Sequence, residues 1–343
     1  GVAWRGTVNA SQVTEMQAAQ NVAQVFLGLN IKCSSCHDSF INDWTLEKTY
    51  AFASIFADQP MEIHRCDKPT GEKATPAFLY PELGSIDPSS PRPNRVRQLS
   101  DILTSPKNGR LARTAVNRLW ASSFGRGLVE PVDEMDNPAW NADLLDWLAV
   151  DFAENGYDLK HTLTLLLSSK AYQRPSAAVD PDAKDYLFAG PSVRRMSAEQ
   201  YLDGIDQVIL AAKGAGSVKA SRGTGGKRAG LRKIDHLLRP LGRTKRDVVV
   251  TRRESVATTA QFIELANGKP VADMMARGGK AWLESGRGAT EIVGAMFASA
   301  LARAASESEK RTAGEVIGSP PTAQGIEDLL WMLTMHPEFQ LIR

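Results

Sequence analysis

Apolar residues recur along most of the chain at spacings of three and four, the period of an amphipathic helix, and alternate over almost none of it. Val22, Phe26 and Leu29 predict a first helix over residues 11–30 that runs almost directly into Cys33. Thr45 is placed to cap a second helix carrying Leu46, Tyr50, Ala53 and Phe56. Over residues 58–95 the period stops. Seven prolines (Pro60, Pro69, Pro76, Pro81, Pro88, Pro91, Pro93) predict an irregular connection there. The pattern resumes with Val96, Leu99 and Leu103, then Leu111, Ala115 and Leu119, ending near Gly125 and Gly127. Asn141 caps a helix with Leu144, Leu145, Leu148 and Phe152, stopped at Gly156, and Asp158 opens the next with Leu163, Leu166 and Leu167. Ser197 and Gln200 have the spacing of a capping box ahead of Tyr201, Ile205, Val208 and Ile209. Three further helices are expected over 258–266, 291–303 and 322–335, with a mobile loop over 214–230 and one strand over 247–251. The expected fold class is therefore mainly α.

Composition narrows the class without changing it. The 343 residues are 43% hydrophobic and 23% charged, which excludes disorder and leaves material for more than one core. No run approaches the roughly 18 consecutive apolar residues of a membrane-spanning helix. The net charge of +2 conceals a basic stretch over 217–253, where twelve Lys and Arg face only Asp235 and Asp247. Such a run reads as a solvated linker and helix face, or as a docking patch for an anionic partner. No aromatic side chains interleave with it, so nucleic acid is not an expected partner. Gly1 is not an initiator Met and nothing near it reads as a signal peptide, which points to a fragment or a processed product.

Three cysteines are too few for a disulfide framework, but Cys33, Cys36 and His37 form C-x-x-C-H. In c-type cytochromes each thiol of this motif adds to a haem vinyl group and the adjacent imidazole becomes the proximal iron ligand. The same region supports a second reading. Cys33, Cys36, His64 and Cys66 make a C-x-x-C followed by H-x-C, a plausible tetrahedral set for a structural zinc ion. Only His37 separates the two, since haem needs it and zinc does not.

Residues 25–38, from Val25 through Cys33-Ser34-Ser35-Cys36-His37-Asp38, with Trp44-Thr45 and Tyr50 behind them, resemble the cytochrome-like domain of the planctomycete-type cytochrome c protein family. Thr114 to Trp120, Phe124 to Val129 and Pro131-Val132-Asp133 resemble the opening of the domain of unknown function that follows it in those proteins. The likeness continues through Leu144 to Leu148, Gly156 to Lys160, Ser168 to Gln173, Arg194 to Glu199, Leu241-Gly242-Arg243, Thr258-Thr259, Asn267-Gly268, Asp328 to Trp331 and Pro337-Glu338-Phe339. The resemblance implies an exported haem protein, periplasmic or at the cell surface, of bacteria that degrade complex polysaccharides. It divides the chain into residues 1–58, the C-terminal part of a cytochrome c-like haem-binding domain; 59–95, a Pro-rich connection packing on the haem unit; and 96–343, a helical domain of unknown function.

Family members often carry a second His two places after the haem His, where this chain has Ser39. His64 is expected to take over as distal ligand, being near the motif in sequence, with Met61, Cys66 and His236 behind it; the expected iron ligands are thus His37 and His64. His161 reads as a surface or capping residue, and His336, at the end of the final helix where a cation suits the dipole, as structural. Asn117, Arg118, Trp120 and Arg126 read as a structural cluster in which an Arg pairs with Asp133 or Glu134, and Glu130, Asp133, Glu134 and Asp136 read as a solvated loop rather than paired glycosidase carboxylates. Three functions follow: an electron-transfer protein with one covalent haem c, docking a redox partner or a further haem domain; a redox enzyme with an open sixth iron site acting on a carbohydrate-derived substrate; or a zinc-stabilised scaffold.

Overall fold

The computed structural model describes residues 13–178, 186–214, 229, 237–244 and 257–342. The expected strand over 247–251 and nearly all of the expected loop over 214–230 lie outside them. The described chain is mainly helical and falls into two compact units divided between Ser192 and Val193.

The first unit begins with α1 (Thr14–Val22), which widens into a π-helical turn over Ala23–Leu27 and stops at Gly28 in the left-handed conformation, φ 61°. The wider turn advances the buried face by about one residue. Leu27 is therefore fully buried while Phe26, expected inside, is 41% exposed. Thr45 caps α2 (Leu46–Ser54) by accepting the Lys48 N–H, and Leu46, Tyr50, Phe52 and Ala53 are buried. The Pro-rich segment is not wholly irregular. It holds an antiparallel hairpin, β1 (Glu62–Arg65) and β2 (Lys68–Lys73). Ile63, Phe78, Leu79 and Ile86 from this segment share one core with Leu27, Leu29, Tyr50, Phe52, Leu99 and Leu103.

Next come α3 (Arg92–Leu103), α4 (Gly109–Phe124), α5 (Ala142–Glu154) and α6 (Leu159–Ser168). Asn108, Asn141 and Asp158 cap the last three through their side-chain oxygens. In α4 the stripe that is inside is Ala112, Val116, Trp120 and Phe124, one residue on from the expected Leu111, Ala115 and Leu119. The aromatic pair wins because Trp120 stacks on Phe124 with ring centroids 4.0 Å apart, and both meet Phe188.

The second unit contains α7 (Ala198–Leu210), α8 (Thr259–Asn267), α9 (Lys269–Glu284), α10 (Ala289–Leu301), α11 (Glu307–Ile317), α12 (Ala323–Met335) and a short α13 (Pro337–Gln340). Two-residue strands β3 (Arg194–Arg195) and β4 (Leu341–Ile342) pair antiparallel and return the C-terminus to the start of α7. Both halves of the Ser197–Gln200 capping box are present. Helices α9 and α11 were not expected from sequence. In α9 Gly278 and Gly279 are both buried because α12 lies against them; a Cβ at Gly279 would sit 2.4 Å from the Ala323 carbonyl oxygen. In α11 most positions are polar, and only Ala313 and Ile317 are buried.

Arg303, just past α10, pairs with Glu309 on α11 (2.8 Å) and Glu338 on α13 (2.7 Å). The Arg303 hydrogen bond, with help from the Ser306 N–H and hydroxyl, pulls the Glu309 carboxyl from its ordinary 4.5 down to about 2. Its folded pKa lies below its unfolded one, so its stabilisation is present above pH 4.5 and lost as pH falls through about 2. Glu309→Gln is accordingly expected to flatten the loss of stability between those two pH values, read as urea midpoints across an acid series. A variant with an unchanged acid slope would count against the assignment.

Candidate functional site

The site is one turn and what pins it. Cys33–Ser35 forms a single 3-10 turn in which the Cys33 carbonyl accepts N–H bonds from Cys36 (3.1 Å) and His37 (3.4 Å). The two residues between the cysteines anchor it. Ser34, fully buried, donates to the Ile31 carbonyl and accepts from Thr49 of α2 at 2.7 Å. Ser35 donates to the Lys32 carbonyl and accepts from Gln20 of α1 at 3.0 Å. Tying the spacer serines inward leaves the motif's reactive groups at the surface: Cys33 is exposed, and Cys36 and His37 are half-buried.

The imidazole of His37 is oriented. Its Nδ1 lies 2.7 Å from the Asp38 carbonyl oxygen, which only accepts, so Nδ1 carries the proton and the neutral ring keeps its lone pair on Nε2. A backbone carbonyl on one ring nitrogen is the usual way in which the other is presented to a metal. The Phe40 ring lies against the same imidazole, with centroids 4.6 Å apart.

Asp38 ties the motif to both neighbouring elements. One oxygen accepts the Leu46 N–H at the start of α2 (2.9 Å) and the other pairs with Arg65 at the end of β1 (3.1 Å). The Leu46 N–H, then Arg65, hold its carboxyl below the ordinary range. Both members of the ion pair are more than half exposed, so its role is placement rather than stability. The hairpin is also joined through backbone, the Cys66 N–H donating to the Cys36 carbonyl at 2.7 Å. Cys66 has φ 55° in the two-residue turn between β1 and β2, a position where glycine is the usual occupant. Sequence reasoning overlooked both Asp38 and Arg65. The first was legible as the residue directly after the motif; the second depends on how the hairpin lies.

His64 stands on β1, half-buried, with its Nδ1 buried and without a hydrogen-bond partner. The Tyr50 hydroxyl is buried close to the His64 backbone and to Cys36, and desolvation pushes its pKa up. The hairpin that carries His64 thus docks on the motif at Cys66. Among the described residues, however, no three His, Cys, Asp or Glu side chains converge into a group able to hold a metal ion. The zinc set Cys33, Cys36, His64 and Cys66 is not assembled, because the hairpin meets the motif through the Cys66 backbone, with its side chain exposed at the turn.

The other candidates divide. His161 sits in the first turn of α6 with its Nε2 3.0 Å from Asp151. The ring of His336 accepts the Glu338 N–H and caps α13, so an acceptor nitrogen rather than a helix-end cation is what that site uses. His236 lies outside the described residues. The acids after Gly127 are not a solvated loop. Asp133 pairs with Arg118 at 2.8 Å and accepts from Gln24, and Asp136 takes Arg110 and the Trp44 Nε1 at 3.1 Å. Arg118 also donates to the carbonyls of Gln24 and Val25, and Arg110 to that of Leu27 (3.1 Å), so these two guanidiniums of α4 grip the π-helical turn that leads into the motif. Asn117 is buried and bonded to the backbone of Val129 and Val132, as a structural reading of that cluster expects. In the basic stretch Arg243 faces inward rather than toward a partner: it is buried, donates to the Ala229 carbonyl at 2.7 Å and pairs with Glu199 at 3.3 Å. Most of its other Lys and Arg lie outside the described residues.

No described helix is long and apolar enough to cross a membrane. Neither a curated relative nor a solved structure matches the chain. Two family profiles do. PSCyt2, protein of unknown function (DUF1549), matches residues 5–60 and so covers the Cys33–His37 turn. PSD1, protein of unknown function (DUF1553), matches residues 94–317 and takes in α3 to α11. Both families are named for planctomycete cytochrome-like proteins. With about two thirds of its length inside the second profile, the chain belongs to the PSD1 family of proteins of unknown function (DUF1553).

Proposed function

We propose that the chain is an exported c-type haem protein that works in electron transfer or redox chemistry. The observation that carries this reading is the His37 ring, whose Nδ1 is fixed on the Asp38 carbonyl one residue past a turn that keeps Cys33 and Cys36 outward. Two thiols at that spacing and an adjacent imidazole with a free Nε2 are the donor set that a haem c requires. Cys33 and Cys36 would hold the porphyrin by thioethers and His37 would be the proximal ligand. Bound there, the haem would supply one-electron chemistry. The chain's own part is to fix the imidazole and, through Ser34, Ser35 and Asp38, to keep the turn from moving when the iron changes charge.

In this reading the protein resides in the periplasm or at the cell surface, where haem c is attached to reduced thiols. Its redox partner is a further haem domain or a separate protein, and its setting is polysaccharide degradation. The basic stretch over 217–253 would dock an anionic partner. The test is production in a host that matures cytochromes c, followed by haem staining after denaturation. One covalent haem per chain is expected, and complete extraction of colour into acidic organic solvent would refute the proposal.

His64 is proposed as the sixth ligand because it brings an unpartnered buried nitrogen to the hairpin that docks on the motif. His64→Ala should leave the thioethers intact and turn a low-spin iron high-spin or open to cyanide. If the spectrum stays low-spin, the sixth ligand is another residue.

A further inference from the structure

The segment after His37 is a short tip closed by backbone. Ser39 N–H donates to the Trp44 carbonyl at 2.9 Å, and within the closure Ile41 N–H reaches the Ser39 hydroxyl and Trp44 N–H the Asn42 side chain. Its base is fixed by Trp44, which is buried, bonded to Asp136 and set edge-on to Tyr80. The tip nevertheless presents two large apolar side chains to water. Phe40 is 88% exposed and Ile41 66% exposed, the former being the most exposed large apolar side chain among the described residues. Single exposed apolar residues are ordinary, but two adjacent ones on a hydrogen-bonded tip beside an oriented imidazole are a poised surface. Phe40 reaches back to that imidazole, and Cys33 is open to solvent in the same turn sequence. A surface that covers the tip would be apolar and would lie beside His37.

We infer that Phe40 and Ile41 are the chain's apolar contact for the porphyrin, an inference that rests on the haem reading above. Phe40 has a second duty. Packed on the imidazole face, it blocks rotation of His37 about the axis that the Asp38 bond leaves free, so it is a positioning residue for the proximal ligand. Occupation of the tip by a protein partner instead of the porphyrin is the competing outcome.

The test uses two forms of the full chain. In the Cys33→Ser/Cys36→Ser background, free ferric haem is titrated and the affinity read from absorbance. Adding Phe40→Ser and Ile41→Ser is expected to weaken binding by about 10- to 100-fold, what partial burial of two large apolar side chains contributes, while Phe40→Leu/Ile41→Val retains it. In the matured protein the same double Ser change should leave covalent haem content unchanged and lower the reduction potential, because water at the haem favours the more charged ferric form. Circular dichroism checks that the fold survives, which is expected since both side chains are outside the core. Equal ferric-haem affinity with an unchanged potential would overturn the inference and leave the haem reading standing. A matured wild-type chain that takes up no haem would overturn both.

Discussion

Cys33→Ser or Cys36→Ser is expected to weaken or abolish covalent haem retention, whereas Cys66→Ser should leave it intact. Each thioether is a separate carbon–sulfur bond, so losing one thiol leaves at most a single attachment, and losing both leaves only axial ligation, which denaturation breaks. The geometry separates the three cysteines cleanly. Cys33 and Cys36 flank the buried serines of one turn, while Cys66 meets that turn through its backbone N–H, a bond that a Ser side chain would preserve. Haem staining on denaturing gels, with intact mass for each variant, is the measurement. If Cys66→Ser alone prevented attachment, the assignment of the thiols would be wrong.

Gly28→Ala is expected to cost about 2–5 kcal/mol of stability, the sum of left-handed backbone strain and overpacking. Gly28 ends the π-helical turn at φ 61°, and a Cβ there would lie 2.3 Å from Met135 Cγ and 3.1 Å from the Thr114 hydroxyl oxygen. Met135 cannot retreat easily, since its own N–H donates to the Gly28 carbonyl at 2.9 Å. Gly71→Ala supplies the comparison: its φ is 82° but nothing lies within 4 Å, so it should show the conformational part alone, about 1–2 kcal/mol. Urea midpoints at unchanged slope give both values. Equal losses at the two sites would mean that the contact with Met135 carries no weight.

Where side chains act locally, sequence reading was sufficient. The caps at Thr45, Asn141, Asp158 and Ser197 depend on a residue and its neighbours three places on, and all four hold in the structure. Reading failed where a distant partner decides. Helix α9 went unread, and the chain segment that needs its Gly278 and Gly279 to be small, α12, begins more than forty residues later. The burial of Leu27 over Phe26 depends on a π turn held by Arg110 and Arg118, which the local period does not encode. At the site, the motif was legible from five residues, and with it the ligand role proposed for His37. The Asp38 link to Arg65 and the exposure of Phe40 and Ile41 were not, since both follow from how a hairpin and a loop settle around the motif.

The grip of the α4 arginines on the π-helical turn bears on inheritance. The carbonyls of Gln24, Val25 and Leu27 belong to the PSCyt2 match, and the guanidiniums that satisfy them belong to the PSD1 match. Gly28 and Met135, and Trp44 and Asp136, cross the same divide. A recombination point placed between the two profiles would therefore cut no linker; it would strand carbonyls on one side and cations on the other. The two segments can be shuffled into new proteins only as a pair, with these contacts carried along together.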